Sequence, residues 1–271
     1  MTRTVAITGA ARGVGRATAE AFAETGADLF LIDIGADIAE CPYPLGTPEQ
    51  LEATAGNCRQ LGVRAVTAIA DVRDADQVAA AFERCRSELG PVDVLVNNAG
   101  IVGPGGRLAH ELSEADWAAL VDVDLSGAWR CAKAVVPDMV ARRAGSIVNI
   151  GSTAGLVAFP HFASYVAAKH GLVGLTRALA LDYAPYAIRV NAICPTSVRD
   201  DARLDSGMLH GVAGMLGLDL GDYEELSVQQ HPLGSLTEAS DVAAAAVWLA
   251  SAAARSMTGA VIPVDAGFTT R

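Results

Sequence analysis

The chain has 271 residues, 51% hydrophobic and 19% charged, with 20 basic against 31 acidic side chains and a net charge of −11. That composition excludes a disordered polymer. The acidic balance without any Lys/Arg cluster excludes nucleic acid as a general partner. Five cysteines (Cys41, Cys58, Cys85, Cys131, Cys194) lie far apart with no Cys-x-x-Cys. Free thiols of a reducing cytoplasm are expected, and no metal site is expected, since zinc needs closer ligand spacing. Met1-Thr2-Arg3 leads directly into a strand-like run without a signal-peptide core, and the longest apolar run, Val242–Ala250, is too short to cross a membrane.

In chain order, strand-like runs occur at Thr4–Thr8, Asp28–Asp33, Ala65–Asp71, Val92–Asn97, Ser146–Ile150, Ile188–Ile193 and Val261–Val264. Helical patterns separate them, which is the signature of βαβ units and a parallel sheet. Most runs are near-continuous Val, Ile, Leu and Ala, as strands covered on both faces should be. Thr47-Pro48-Glu49-Gln50 reads as a capping box with proline in the first turn, and Asp74 and Ser113 mark two further helix starts. The glycine-rich stretch from Gly207 to Gly221 has no clear period and reads as either a mobile or a separately helical segment. The expected fold is α/β: one doubly wound, Rossmann-like domain over 1–271.

The first strand runs into Thr8-Gly9-Ala10-Ala11-Arg12-Gly13-Val14-Gly15 and then a helical pattern. Glycines in this place let the backbone turn sharply and approach a pyrophosphate, whose charge is met by amides at the helix N-terminus. Asp33 ends the second strand, 18 positions after Gly15. A carboxylate there accepts hydrogen bonds from ribose hydroxyls and repels a 2′-phosphate. No Lys or Arg follows until Arg59, which favours NAD; Arg12, within the glycine loop, leaves NADP open.

Added to Asp71-Val72, Asn97-Asn98-Ala99-Gly100, Ser152, Tyr165-x-x-x-Lys169, Pro195 and Pro263-Val264-Asp265-Ala266-Gly267, these motifs resemble the classical short-chain dehydrogenase/reductase family along nearly the whole chain. The resemblance implies a seven-stranded parallel sheet, a nicotinamide cofactor across the strand ends and a homotetramer. It also implies that Asp71 and Val72 frame the adenine and that Asn98, Ala99 and Gly100 line the nucleotide. Pro195, Thr196 and Val198 would meet the nicotinamide, and Lys169 would hold its ribose.

Tyr165 and Lys169 are one helical turn apart and share a face. Moving a proton at a carbinol oxygen near neutral pH needs a phenol drawn below its ordinary value of about 10. An ammonium at roughly 4 Å in an effective dielectric of about 20 supplies on the order of 4 kcal/mol, or about three pKa units. Ser152, 13 residues before Tyr165, would donate a hydrogen bond to the substrate oxygen.

Four departures from the family pattern are present. Where relatives commonly carry Asn in Val-Asn-Leu-x-Gly, this chain has Asp124 in Val123-Asp124-Leu125-Ser126-Gly127. A carboxylate there either pairs with Lys169 and alters the titration of Tyr165, or keeps the role through backbone contacts. The usual Pro-Gly is Pro195-Thr196, and Arg199 and Asp200 stand where a threonine is frequent. Finally, the connection from 34 to 47, with Pro42, Tyr43 and Pro44, is longer than usual and stiff. It is similar to the loop of the mycofactocin-associated carveol-dehydrogenase-like subgroup, which implies a tightly held NAD and an external electron acceptor; subunit packing is the other reading.

A substrate-loop segment is expected at 198–236. Leu156, Val157, Phe159, His161, Phe162, Met208, Leu209, Met215 and Leu216 form an apolar set suited to an alicyclic or terpenoid alcohol. The expected activity is NAD-dependent interconversion of a secondary alcohol and a ketone. An NADPH-dependent biosynthetic ketoreductase and a nucleotide-binding regulator are the alternatives.

Overall fold

The computed structural model describes residues 2–270. Seven parallel strands, β1 (Thr4–Thr8), β2 (Asp28–Asp33), β3 (Ala65–Ile69), β4 (Val94–Asn97), β5 (Gly145–Ile150), β6 (Ile188–Pro195) and β7 (Val261–Val264), form one sheet in the order β3-β2-β1-β4-β5-β6-β7. The helices are α1 (Gly13–Glu24), α2 (Pro48–Gln60), α3 (Ala75–Glu88), α4 (Glu114–Val121), α5 (Ala128–Arg142), α6 (Ala163–Tyr183), α7 (Met208–Met215), α8 (Leu220–Gln230) and α9 (Ala239–Ala250).

The inner strands feed two cores because their side chains alternate. Ala6, Phe30, Leu95 and Ile147 face Phe82 of α3, Val135 and Met139 of α5 and Ala168 of α6. Val5, Ile7, Leu31, Val94 and Val148 face Phe22 of α1, Leu51 and Ala55 of α2 and Val242, Ala246 and Leu249 of α9. Both faces are apolar, so hydropathy alone shows a continuous run where the packing still has a period of two.

The three sequence-marked helix starts are real caps. Thr47 and Gln50 exchange side-chain-to-backbone bonds at the start of α2, Asp74 accepts from the amides of Asp76 and Gln77, and Ser113 accepts from Asp116. Four strand boundaries differ from the sequence reading: β4 begins at Val94 rather than Val92, β5 begins at Gly145 rather than Ser146, and the ends of β3 and β6 move. β3 stops at Ile69, because the amide of Asp71 turns to Gln77 Oε1 instead of the ladder, and β6 runs on to Pro195 through pairing with β7. The glycine-rich stretch is helical. Asp200 caps α7 through the amides of Leu209 and His210, Gly217 (φ +71°) closes it, and Asp219 caps α8 through Asp222.

A buried polar chain ties the sheet to its helices. Asn97 donates to Asn149 Oδ1 (2.9 Å) and to the Ala128 carbonyl (3.2 Å), and Asn149 donates to Thr176 Oγ1 (2.8 Å). Asn149→Ala leaves the buried Asn97 amide and the Thr176 hydroxyl without these partners. It is expected to destabilise the chain by about 2–3 kcal/mol, seen as a lower urea midpoint; an unchanged midpoint contradicts this account.

Candidate active site

β1 and β4 are neighbours inside the sheet, and the crossovers leaving them part in opposite directions. That reversal opens a cleft at the carboxyl ends of the strands. The residues singled out for catalysis and cofactor binding all line it: Gly9, Arg12, Gly13, Val14, Gly15, Asp33, Asp71, Val72, Asn98, Ala99, Gly100, Asp124, Ser152, Tyr165, Lys169, Pro195, Thr196 and Val198.

The glycine turn is built for close approach. Gly9 has φ +65°, and a Cβ there would lie 2.8 Å from Ala99 Cα; one on Gly15 would lie 1.9 Å from the Gly9 carbonyl oxygen. Thr8 Oγ1 accepts from the amides of Asn98 and Ala99, and the Asn98 side chain donates to the carbonyls of Thr8 and Gly9, so the β1 and β4 loops hold each other. The first turn of α1 has neither a side-chain cap nor an acidic residue. Its amides therefore remain available to an anion, and these residues fit a dinucleotide pyrophosphate.

At the β2 end, Asp33 Oδ2 accepts from the Ala11 amide (2.9 Å). Burial pushes its carboxyl above the usual carboxylate value, against the pull of that amide and of Gly35 and Ile34. The 34–47 connection folds back onto it: a Cβ on Gly46 would lie 2.9 Å from Asp33 Oδ1 and 2.7 Å from Ala11 Cβ. Ile34, Ile38, Leu45 and Gly46 thus become walls of the cleft.

At the β5 end, Ser152 Oγ accepts from the Ala154 amide and lies within hydrogen-bonding reach of Tyr165. Lys169 Nζ sits 5.6 Å from the centre of the Tyr165 ring and donates to the Ile150 carbonyl. Asp124 projects from a wide π-helical turn, Asp122–Gly127, between α4 and α5. It is fully buried; Oδ1 accepts from the Ile101 amide (2.9 Å) and Oδ2 lies 2.9 Å from Lys169 Nζ, an ion pair without an aligned hydrogen bond.

This pair corrects one expectation. The Tyr165 phenol stands above its ordinary value, not about three units below it: burial raises it, Lys169 pulls down, and the Asp124 carboxylate pushes up again. Burial opposes the Lys169 ammonium, yet Asp124 and Tyr165 together hold it above its ordinary value.

The apolar set divides. Phe159, Phe162, Met208 and Leu209 line the cleft, joined by Val102, Val212 and Tyr223, whereas Leu156, Val157, Met215 and Leu216 do not. His161 is exposed with φ +68° and points to no acid role. Arg199 clamps Glu224 of α8 and Glu238 at the start of α9, and Asp200 holds the start of α7, so the two residues together fix α7 and α8 to α9.

Sequence reasoning missed two contributors. His231 is buried, its Nε2 lies 2.9 Å from Thr196 Oγ1, and its ring packs on Phe268, which stacks on Phe159; no local pattern marks it. Tyr43 stood within the long connection, but its partners are distant. Its hydroxyl accepts from the Val102 amide (2.8 Å), and its ring lies against Gly211 of α7.

With the cleft described, the relatives are informative. A family model described as enoyl-(acyl carrier protein) reductase matches residues 9–269. The chain is 41% identical over 270 residues to (−)-trans-carveol dehydrogenase of Rhodococcus erythropolis, covering 97% of this chain and 96% of that one. It is 37% identical over 267 residues to cis-4-hydroxycyclohexanecarboxylate dehydrogenase of Sinomonas cyclohexanicum, covering 98% and 96%. The crystal structure of carveol dehydrogenase from Mycobacterium avium in complex with NAD superposes with a TM-score of 0.91 at 37% identity, over 99% of this chain and 98% of that one. The protein belongs to the classical short-chain dehydrogenase/reductase family. It is an oxidoreductase of the alcohol/ketone type that uses a nicotinamide dinucleotide. Among the described residues no helix is long and apolar enough to cross a membrane.

Tyr43→Phe keeps the ring and removes the acceptor of a buried amide. The Val102 amide is expected to exchange with solvent deuterium about tenfold faster or more, an effect of ~1.4 kcal/mol. Unchanged exchange at 101–106 would mean that the hydroxyl does not anchor this loop.

Proposed function

We propose that the protein is an NAD-dependent dehydrogenase that interconverts an apolar secondary alcohol and its ketone, with Tyr165 as the acid/base. The observation that carries this reading is the convergence of Ser152, Tyr165 and Lys169 at the apolar end of the same cleft whose other end is the glycine turn and Asp33. When bound, the nicotinamide supplies the hydride acceptor or donor.

The chain does the rest. Ser152 donates to the substrate oxygen and Tyr165 exchanges its proton with that oxygen. Lys169 holds the ribose hydroxyls and Val198 meets the carboxamide through its backbone. Gly9, Gly13, Val14 and Gly15 take the pyrophosphate at the start of α1, where Arg12 adds charge; Asp71, Val72, Asn98, Ala99 and Gly100 line the base and sugar. Pro195 and Thr196 back the nicotinamide.

NAD is favoured over NADP because Asp33 is an acceptor walled in by Gly46, which leaves a 2′-phosphate neither room nor a counter-charge beyond Arg12. The M. avium neighbour was crystallised with NAD, which supports the same choice. Phe159, Phe162, Met208 and Val212 favour an alicyclic or terpenoid alcohol, in keeping with relatives named for carveol and for a hydroxycyclohexane acid. The 34–47 wall supports slow release of NAD and reoxidation by an external acceptor. A homotetramer fits the exposed Trp117 and Trp129 on α4 and α5 and Trp248 on α9.

Two measurements test this reading. Denaturing freshly purified protein should release NAD or NADH near one per chain by mass and absorbance; recovery of NADP, or of no nucleotide, rejects the cofactor assignment or its retention. Tyr165→Phe should lower turnover of alicyclic alcohols by about 10²–10⁴-fold, and retained turnover removes Tyr165 from the mechanism.

A further inference from the structure

The departure at position 124 sits inside the reactive site. Asp124 is 1% exposed and Lys169 4% exposed, and they are 2.9 Å apart with Tyr165 beside them. The carboxylate cannot turn to solvent: Oδ1 is held by the Ile101 amide, and a Cβ on Gly100 would lie 3.1 Å from Oδ2.

The groups acting on Tyr165 come from four elements: Lys169 on its own helix, Asp124 from the π-helical turn, Ser152 after β5 and Cys194 on β6. Asp124 in turn faces the phenol of Tyr43. Burial holds Cys194 and Tyr43 in their neutral forms, and Ser152 carries no charge. Burial raises the Asp124 carboxyl, against the pull of Lys169 and of the Ile101 amide, and the 2.9 Å contact with the ammonium favours its ionised form. The phenol therefore responds to one cation and one anion of opposite effect, the pull of Lys169 being the larger.

We propose that Asp124 is a positioning residue that acts through Lys169: as the buried counter-ion of that ammonium it sets the pH at which Tyr165 can act as a base. This rests on Tyr165 being the acid/base group. Oxidation sends the alcohol's hydroxyl proton to the phenolate oxygen of Tyr165 as hydride leaves the carbinol carbon for the nicotinamide dinucleotide, so the phenol must first have lost its own proton. With burial opposing the phenolate and the carboxylate offsetting part of the ammonium's pull, the site keeps that proton through neutral pH. It is then poised to protonate a ketone oxygen, and alcohol oxidation rises only in alkaline solution. An uncharged side chain at 124 leaves the ammonium uncompensated and lets the proton go earlier.

Asp124→Asn is nearly isosteric, and its amide oxygen can still accept from Ile101. Both proteins are labelled with tyrosine carrying ¹³C at Cζ, whose shift reports phenol ionisation without substrate or turnover; the Tyr165 signal is the one absent from Tyr165→Phe. In Asp124→Asn the Tyr165 signal is expected to titrate about one pH unit lower or more, and the alkaline rise of kcat/KM for alcohol oxidation should move down with it. If the wild-type signal does not titrate before alkaline unfolding, a variant signal titrating below that limit gives the same result. A Tyr165 signal titrating at the same or a higher pH in the variant, or failing to titrate in both proteins, overturns the proposal. Asp124→Ser, also uncharged, is read in the same way should Asp124→Asn not fold. Failure of the underlying reading is distinct: Tyr165→Phe would then retain oxidation, whatever the NMR titration shows.

Discussion

Parallel strands are joined only by crossovers, and crossovers that leave neighbouring strands toward opposite faces must leave a gap between them. In this chain the gap falls between β1 and β4, and the site depends on it. The glycine turn, the Asn98 bridge and the uncapped start of α1 edge it on one side. Ser152 and the face of α6 that carries Tyr165 and Lys169 edge it further along the sheet. The sheet thereby fixes the distance between the glycine turn with Asp33 at one end and Ser152, Tyr165 and Lys169 at the other without any loop having to measure it.

Two segments then roof the gap, and they are joined to each other. The 34–47 connection lays Gly46 on Asp33 and sends Tyr43 across to Val102 and to Gly211 of α7. The same α7 is capped by Asp200, and neighbouring Arg199 holds Glu224 of α8. The wall at the Asp33 end and the helices over the apolar end thus share contacts, so opening one disturbs the packing of the other. Stability here comes from many modest contacts and buried hydrogen bonds rather than from an ion pair at the surface.

Charge is used sparingly inside the cleft. Asp33 is solvated by backbone amides, Arg12 lies at the lip, and Lys169 and Asp124 face each other at the reacting end. The cation nearest Tyr165 is thus itself paired, with Asp124 Oδ2 2.9 Å from Lys169 Nζ. A motif spaced by four residues guarantees a shared helix face, but it carries no information about a carboxylate 45 positions upstream of the lysine.

The sequence by itself determined the seven strand runs to within a few residues, the capped starts of α2, α3 and α4, the glycine turn and the catalytic and cofactor candidates that meet in the cleft. These follow from local rules: residue period, cap chemistry and the conformational freedom of glycine. Tertiary structure decided the rest. It ended β3 at Ile69, because Asp71 found Gln77 through a turn, and made helices of 208–230, because Asp200 and Asp219 supplied caps that the glycines hid. It also brought His231 to Thr196, Tyr43 to Val102 and Asp124 to Lys169. These are contacts between residues 35 to 59 positions apart, and their energies depend on burial and distance, quantities that exist only once the chain has folded.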